Sequence, residues 1–137
     1  MGEVTVTRNL ARDPAEVWSL LANFGETGWI PMADTVTLEG EGVGMRRLLH
    51  MEGAPPIIEQ LDAIDHDRRV LTYSIENNPL PTKTYQAVCS VVGEGNGTVI
   101  EWVVTFEAIG DESEVAGMIS GVYDMMAGWI VDATGSP

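Results

Sequence analysis

Six strand-like runs follow one another between residues 34 and 108, and the links between them are too short to be crossovers. The runs are 34–39, 45–51, 57–64, 69–76, 84–92 and 98–108. Between them stand Gly-Glu-Gly-Val-Gly, Glu-Gly-Ala-Pro-Pro, Asp-His-Asp-Arg, Asn-Asn-Pro-Leu-Pro and Gly-Glu-Gly-Asn-Gly, each rich in turn-forming residues. Parallel strands need a connection of a dozen or more residues, so such links force successive strands into antiparallel pairs. The centre of the chain is thereby committed to a meander.

What flanks the meander completes the architecture. Val4 to Leu10 alternates and reads as a first strand. A helix then opens at Asp13, with Pro14 at its first position, Glu16 where a capping box closes, and Val17, Leu20, Leu21 and Phe24 as its apolar stripe. Residues 25–31 read as a break or a second short helix. After the last strand, Asp111 caps a long helix with Glu114 three residues on, and Val115, Met118, Ile119, Val122, Met126 and Trp129 recur at helical spacing. The expected fold is α+β: a seven-stranded antiparallel curved sheet gripping a long terminal helix, in one domain over residues 1–137. A helix covers only part of a concave sheet face, so this arrangement tends to leave a cavity. Gly117 and Gly121 lie on one helix face, with Gly128 further along, and either let the helix approach the sheet closely or leave room for a ligand.

Charge and cysteine usage exclude several partners. With 21 acidic and 7 basic residues the formal net charge is −14, which disfavours nucleic acid and anionic lipid headgroups. The lone Cys89 excludes an intramolecular disulfide, fits a reducing, cytoplasmic setting, and reads as a buried inert thiol amid apolar neighbours. Neither a signal-peptide pattern nor a membrane-length apolar run is present, so no membrane insertion is expected. Asn96-Gly97-Thr98 matches a glycosylation sequon but reads better as an Asn-Gly hairpin turn. The two histidines, His50 at a strand end and His66 in a turn between Asp65 and Asp67, form neither a metal constellation nor a nucleophile–base triad. No metal and no cofactor is expected, and the protein is expected to be a monomer or homodimer.

Strand alternation sets which side chains point inward. With Gln86 and Ser90 facing out, Tyr85, Ala87, Cys89 and Val91 face in; with Glu101, Val103 and Thr105 out, Ile100, Trp102, Val104 and Phe106 face in. Leu71, Tyr73 and Ile75 share a face, as do Arg47, Leu49 and Met51, and Glu59, Leu61 and Ala63. Folding the hairpin about Gly53 sets Arg47 opposite Glu59, the charge pair nominated for the inner face. Either it is a polar anchor or acid/base pair at one end of an apolar pocket, or a cross-strand salt bridge near the rim. Tyr73, Tyr85 and Tyr123 can supply hydroxyls to the same pocket. Glu59, Arg47 and Tyr85 are the candidates for proton transfer. The expected ligand contacts from the sheet are Leu49, Leu61, Tyr73, Ile75, Tyr85, Ala87, Cys89 and Trp102. Trp29 joins them from ahead of the second strand, and Met118, Val122, Tyr123 and Met126 from the last helix.

Four stretches taken in order have a familiar look: D-P-A-E-V-W-S-L-L-A-N-F-G, G-V-G-M-R-R-L-L, N-P-L-P-T-K-T-Y-Q-A with V-I-E-W-V-V-T-F, and G-V-Y-D. With them the chain resembles the START-like superfamily of birch-pollen-allergen fold, in its bacterial polyketide cyclase/dehydrase (SRPBCC) branch. Two positions depart from that branch: Asn23 where Asp is frequent before Phe-Gly, and Ile30 where His is frequent between Trp and Pro. No role for that acid or imidazole carries over. The resemblance implies that Pro79-Leu80-Pro81 forms a stiff rim at the cavity mouth, with Leu80 at its tip and Gly53-Ala54-Pro55-Pro56 as its counterpart. In the superfamily's plant hormone receptors such loops act as gate and latch. It also implies a small hydrophobic ligand, aromatic or polyketide-like, held by a carrier or sensor. The alternative is a cofactor-independent cyclase/dehydratase, and a chaperone-associated interaction domain is a third class.

Overall fold

A computed structural model describes residues 1–134. Its elements are β1 (Gly2–Leu10), α1 (Pro14–Ala22), β2 (Thr35–Glu39), β3 (Arg46–His50), β4 (Ile57–Asp65), β5 (Val70–Glu76), β6 (Thr82–Glu94), β7 (Gly97–Ala108) and α2 (Glu112–Ala133). The seven strands form one antiparallel sheet in the order β1-β7-β6-β5-β4-β3-β2, so the meander runs unbroken and β1 returns to pair with the last strand. The segment carrying α1 therefore spans from one sheet edge to the other. Both helix starts follow from their caps: the Asp13 carboxylate accepts from the Ala15 amide at 3.2 Å, and that of Asp111 from the Glu114 amide at 3.0 Å. Residues 25–31 form turns rather than a second helix, pinned by the buried Trp29 and Ile30.

Period-two alternation held along β6 and β7, whose inward residues from Tyr85 to Val91 and from Ile100 to Phe106 are all buried. It failed in β4, where the register with β5 shifts between Leu61 and Ala63. One extra residue at a bulge flips everything beyond it, so Ala63 is exposed and Ile64 packs on the core instead. Asp62, at the bulge, faces the other side and accepts from Gln60, Ser74 and Gln86.

The helix expectations need two corrections. The buried stripe of α2 is Val115, Ile119, Tyr123, Ala127 and Ile130, whereas Met118 is 46% exposed. At 3.6 residues per turn Met118 stands roughly 140° round the helix from Tyr123. Gly117, Gly121 and Gly128 are exposed, and a methyl group on any of them would meet no atom within 4 Å. They neither admit the sheet nor border a ligand space, and nothing in the structure explains them.

The β6–β7 hairpin turns on Gly95 and Asn96, because Glu94 pairs with Gly97; Gly95 has φ 58° at the first central position. Asn96-Gly97 is thus not the turn. Gly97 is required for another reason: a Cβ there would lie 2.5 Å from the Leu10 carbonyl oxygen. We expect Gly97→Ala to cost about 1–3 kcal/mol through the forced backbone shift. Gly121→Ala should instead stabilise by about 0.5–1 kcal/mol, as a helix-interior glycine facing open solvent. Urea denaturation of both variants checks the opposite signs.

Candidate functional site

Between the concave face of the sheet and the C-terminal half of α2 lies a cavity of about 130 Å³. The strands contribute Leu49 from β3, Ile57 from β4, Tyr73 and Ile75 from β5 and Tyr85 from β6. Helix α2 contributes Val122, Tyr123, Met125, Met126 and Trp129, and the segment after α1 adds Ile30 and Met32. Met32 and Met125 are exposed and, with Pro79, mark the mouth.

The loop over that mouth is tied on both flanks. Asn77 adopts φ 55° and donates to the Pro56 carbonyl at 3.4 Å. The Asn78 side chain accepts from the Leu80 amide at 3.0 Å and donates to the Thr82 hydroxyl at 3.3 Å, a local turn of the kind Asn favours. The Pro81 carbonyl accepts from the Ile109 amide at 2.8 Å. Asn78, Pro79 and Leu80 therefore line the cavity as a braced rim. Gly53, Ala54 and Pro55 are exposed and border no part of the cavity, which Ile30 and Met32 do line.

Two charges sit in this apolar lining. Arg47 and Glu59 are directly paired across β3 and β4, 5% and 9% exposed, with Nε donating to Oε1 at 2.7 Å. The guanidinium also donates to the Phe24 carbonyl at 3.1 Å and lies over the Phe24 ring, 3.9 Å from its centroid. The pair is buried and lines the cavity; it is not a rim salt bridge. Among the described residues no protein group donates to the second carboxylate oxygen, Oε2.

Three tyrosines complete the polar wall. The Tyr123 hydroxyl bonds that of Tyr73 at 2.6 Å and that of Tyr85 at 2.5 Å. Three hydroxyls carry three protons, and two mutual bonds use two of them. At least one proton is therefore left to point at an acceptor in the cavity. Burial pushes all three phenols above their ordinary 10.0, and the nearby Glu59 carboxylate adds to the rise for Tyr73 and Tyr85. They stay protonated and serve as donors. The buried tyrosines bond one another, not backbone carbonyls. Trp102 stacks on Tyr123 with centroids 4.7 Å apart, fixing its ring.

A second, smaller chamber of about 20 Å³ lies deeper. Trp29, Cys89 and Trp102, expected against the ligand, line this chamber and not the larger cavity. Burial pushes the Cys89 thiol up to about 12, which keeps it unreactive. Leu61 and Ala87 are buried in the core, bordering neither space, and Met118 is at the surface. The larger cavity does gather Arg47, Leu49, Glu59, Tyr73, Ile75, Leu80, Tyr85, Val122, Tyr123 and Met126. Sequence reasoning missed Ile57, which shares the alternation of Glu59, and also Ile30, Met32, Asn78 and Met125, which carry no periodic signal.

Over residues 1–131 the sequence matches the family model described as polyketide cyclase / dehydrase and lipid transport. No curated protein matches the chain. Among solved structures, the protein XoxI from Bacillus cereus is similar at 26% identity, with a TM-score of 0.82 over 98% of this chain and 96% of that one. Norcoclaurine synthase from Thalictrum flavum is similar at 16% identity, with a TM-score of 0.75 over 96% of this chain and 85% of that one. At that identity the likeness is one of fold. The synthase has also been solved in complex with dopamine and hydroxybenzaldehyde.

Proposed function

The chain belongs to the polyketide cyclase / dehydrase and lipid transport family, and from that premise we propose that it binds a small apolar molecule of about one substituted aromatic ring. The observation that carries this reading is the size and lining of the cavity. An apolar cavity of about 150 Å³ holds one benzene, and pockets for drug-sized ligands run to about 300–1,000 Å³. At about 130 Å³ the space suits a single ring and excludes a fused multi-ring polyketide. The same fold houses single-ring aromatics in norcoclaurine synthase. Apolar walls supply affinity, and the spare tyrosine proton supplies one directed bond, so the ligand carries an oxygen acceptor such as a phenol or ketone.

A carrier or sensor fits better than a cyclase/dehydratase. General acid/base catalysis works best with groups that exchange protons near the operating pH, and the three phenols are held well away from it. The juxtaposition of Glu59 with the hydroxyl cluster keeps the enzymatic reading second.

Calorimetric titration with p-cresol tests the proposal. We expect one molecule per chain with a dissociation constant of roughly 10 μM to 1 mM, as suits so few heavy atoms. Leu80→Asp, which puts a charge on the apolar rim, should weaken binding at least tenfold. Absence of heat and of any thermal stabilisation at saturating p-cresol would overturn the reading.

A further inference from the structure

We propose that Met126 is a movable partition that sets the upper size of ligand this protein accepts, an inference that rests on the binding role above. Three residues border both the main cavity and the deeper chamber: Arg47, Tyr73 and Met126. Two of them are fixed. Arg47 is held by Glu59, by the Phe24 carbonyl and by the Phe24 ring. Tyr73 is held by its hydroxyl bond to Tyr123 and by the Phe24 ring, with centroids 6.4 Å apart. The Met126 side chain makes no hydrogen bond among the described residues, is only partly buried, and has three rotatable bonds and a polarisable sulfur that adapts to irregular space. It is the soft member of a wall that is otherwise rigid.

The deeper chamber is suited to receive what the partition lets through. Its far side is aromatic, with Phe24, Trp29 and Trp102. With Met126 in place the chamber, at about 20 Å³, holds little more than one water-sized object. Swinging or removing the thioether joins it to the main cavity. The ligand class then widens from a single ring to a two-ring aromatic whose second ring lies among the tryptophans, while its oxygen keeps the tyrosine contact. Met126 is thus a specificity-determining residue.

Titration of p-cresol and 2-naphthol against wild type, Met126→Ala and Met126→Leu tests this. Met126→Ala should raise the affinity for 2-naphthol relative to p-cresol at least tenfold over wild type. Met126→Leu, of similar volume but stiffer, should lower the affinity for 2-naphthol relative to p-cresol at least threefold. An unaltered 2-naphthol to p-cresol ratio in both variants would overturn the partition. Xenon under pressure in crystals gives a readout without an organic ligand: density extending from the main cavity into the deeper chamber is expected in Met126→Ala, and density confined to the main cavity as in wild type would count against the proposal. Failure of wild type to bind p-cresol would count against the binding role alone, since xenon reports on the partition regardless.

Discussion

Raising the pH through 10 produces no tyrosinate absorbance until the fold gives way, and then all of it appears in one cooperative step. The chain has three tyrosines, and all three belong to the buried hydroxyl cluster. Burial pushes each phenol above its ordinary 10.0, and the Cys89 thiol rises from 9.0 to about 12. Groups whose folded pKa is raised hold protons that the unfolded chain has already released. Their contribution is complete below the unfolded values, starts to fall near pH 9 for the thiol and near 10 for the phenols, and declines as pH climbs toward the folded values. Each fully mismatched group removes roughly 1.4 kcal/mol per pH unit. Four such groups remove roughly 5 kcal/mol per unit, so a domain stable by about 5–15 kcal/mol unfolds within one to three units above pH 10. Tyr73→Phe deletes one titrating group and should make this slope about a quarter shallower. A gradual titration near pH 10, with the far-ultraviolet circular dichroism intact, would show that at least one phenol is not held as described.

The second large effect is at Glu59. Glu59→Gln keeps the volume and one acceptor for Arg47 Nε, but it removes the charge that balances a guanidinium 5% exposed. Breaking a buried pair at one end costs about 3–5 kcal/mol, because the remaining charge is left without compensation. For a domain of this size that corresponds to a fall in melting temperature of roughly 10–20 °C. Replacing both members with apolar residues of similar volume (Arg47→Met with Glu59→Leu) should recover most of that loss, since desolvation of the ion pair is then removed as well. The double variant separates stability from binding: a recovered fold that no longer takes p-cresol assigns the pair to the ligand, and unchanged affinity assigns it to architecture. A single variant that melts like wild type would contradict the burial of the pair.

Much of the fold was legible because its signals are local. Short links between strands forced the meander, and the strand limits moved by at most two residues, as when the sixth strand began at Thr82 rather than Thr84. Asp13 and Asp111 marked both helix starts through the chemistry of their own carboxylates. Alternation placed Arg47 opposite Glu59 on an inner face, since register about a short hairpin is an arithmetic consequence of its length.

What lay beyond the sequence depends on distances between elements that no local pattern encodes. The bulge at Asp62 inverted the face of Ala63, and one inserted residue leaves no trace in a run of strand-forming types. Helical spacing gave α2 an apolar stripe but not its azimuth, so Met118 and the glycines were assigned to the wrong side. Inward alternation named Tyr73, Tyr85 and Tyr123 separately; their meeting within 2.6 Å depends on where β5, β6 and α2 stand relative to one another. The division of the interior into a cavity of about 130 Å³ and a chamber of about 20 Å³ is likewise decided by packing. Periodicity along a chain determines which side chains turn inward, but how far apart the inward surfaces stop is a property of three-dimensional packing, and that distance defines the site.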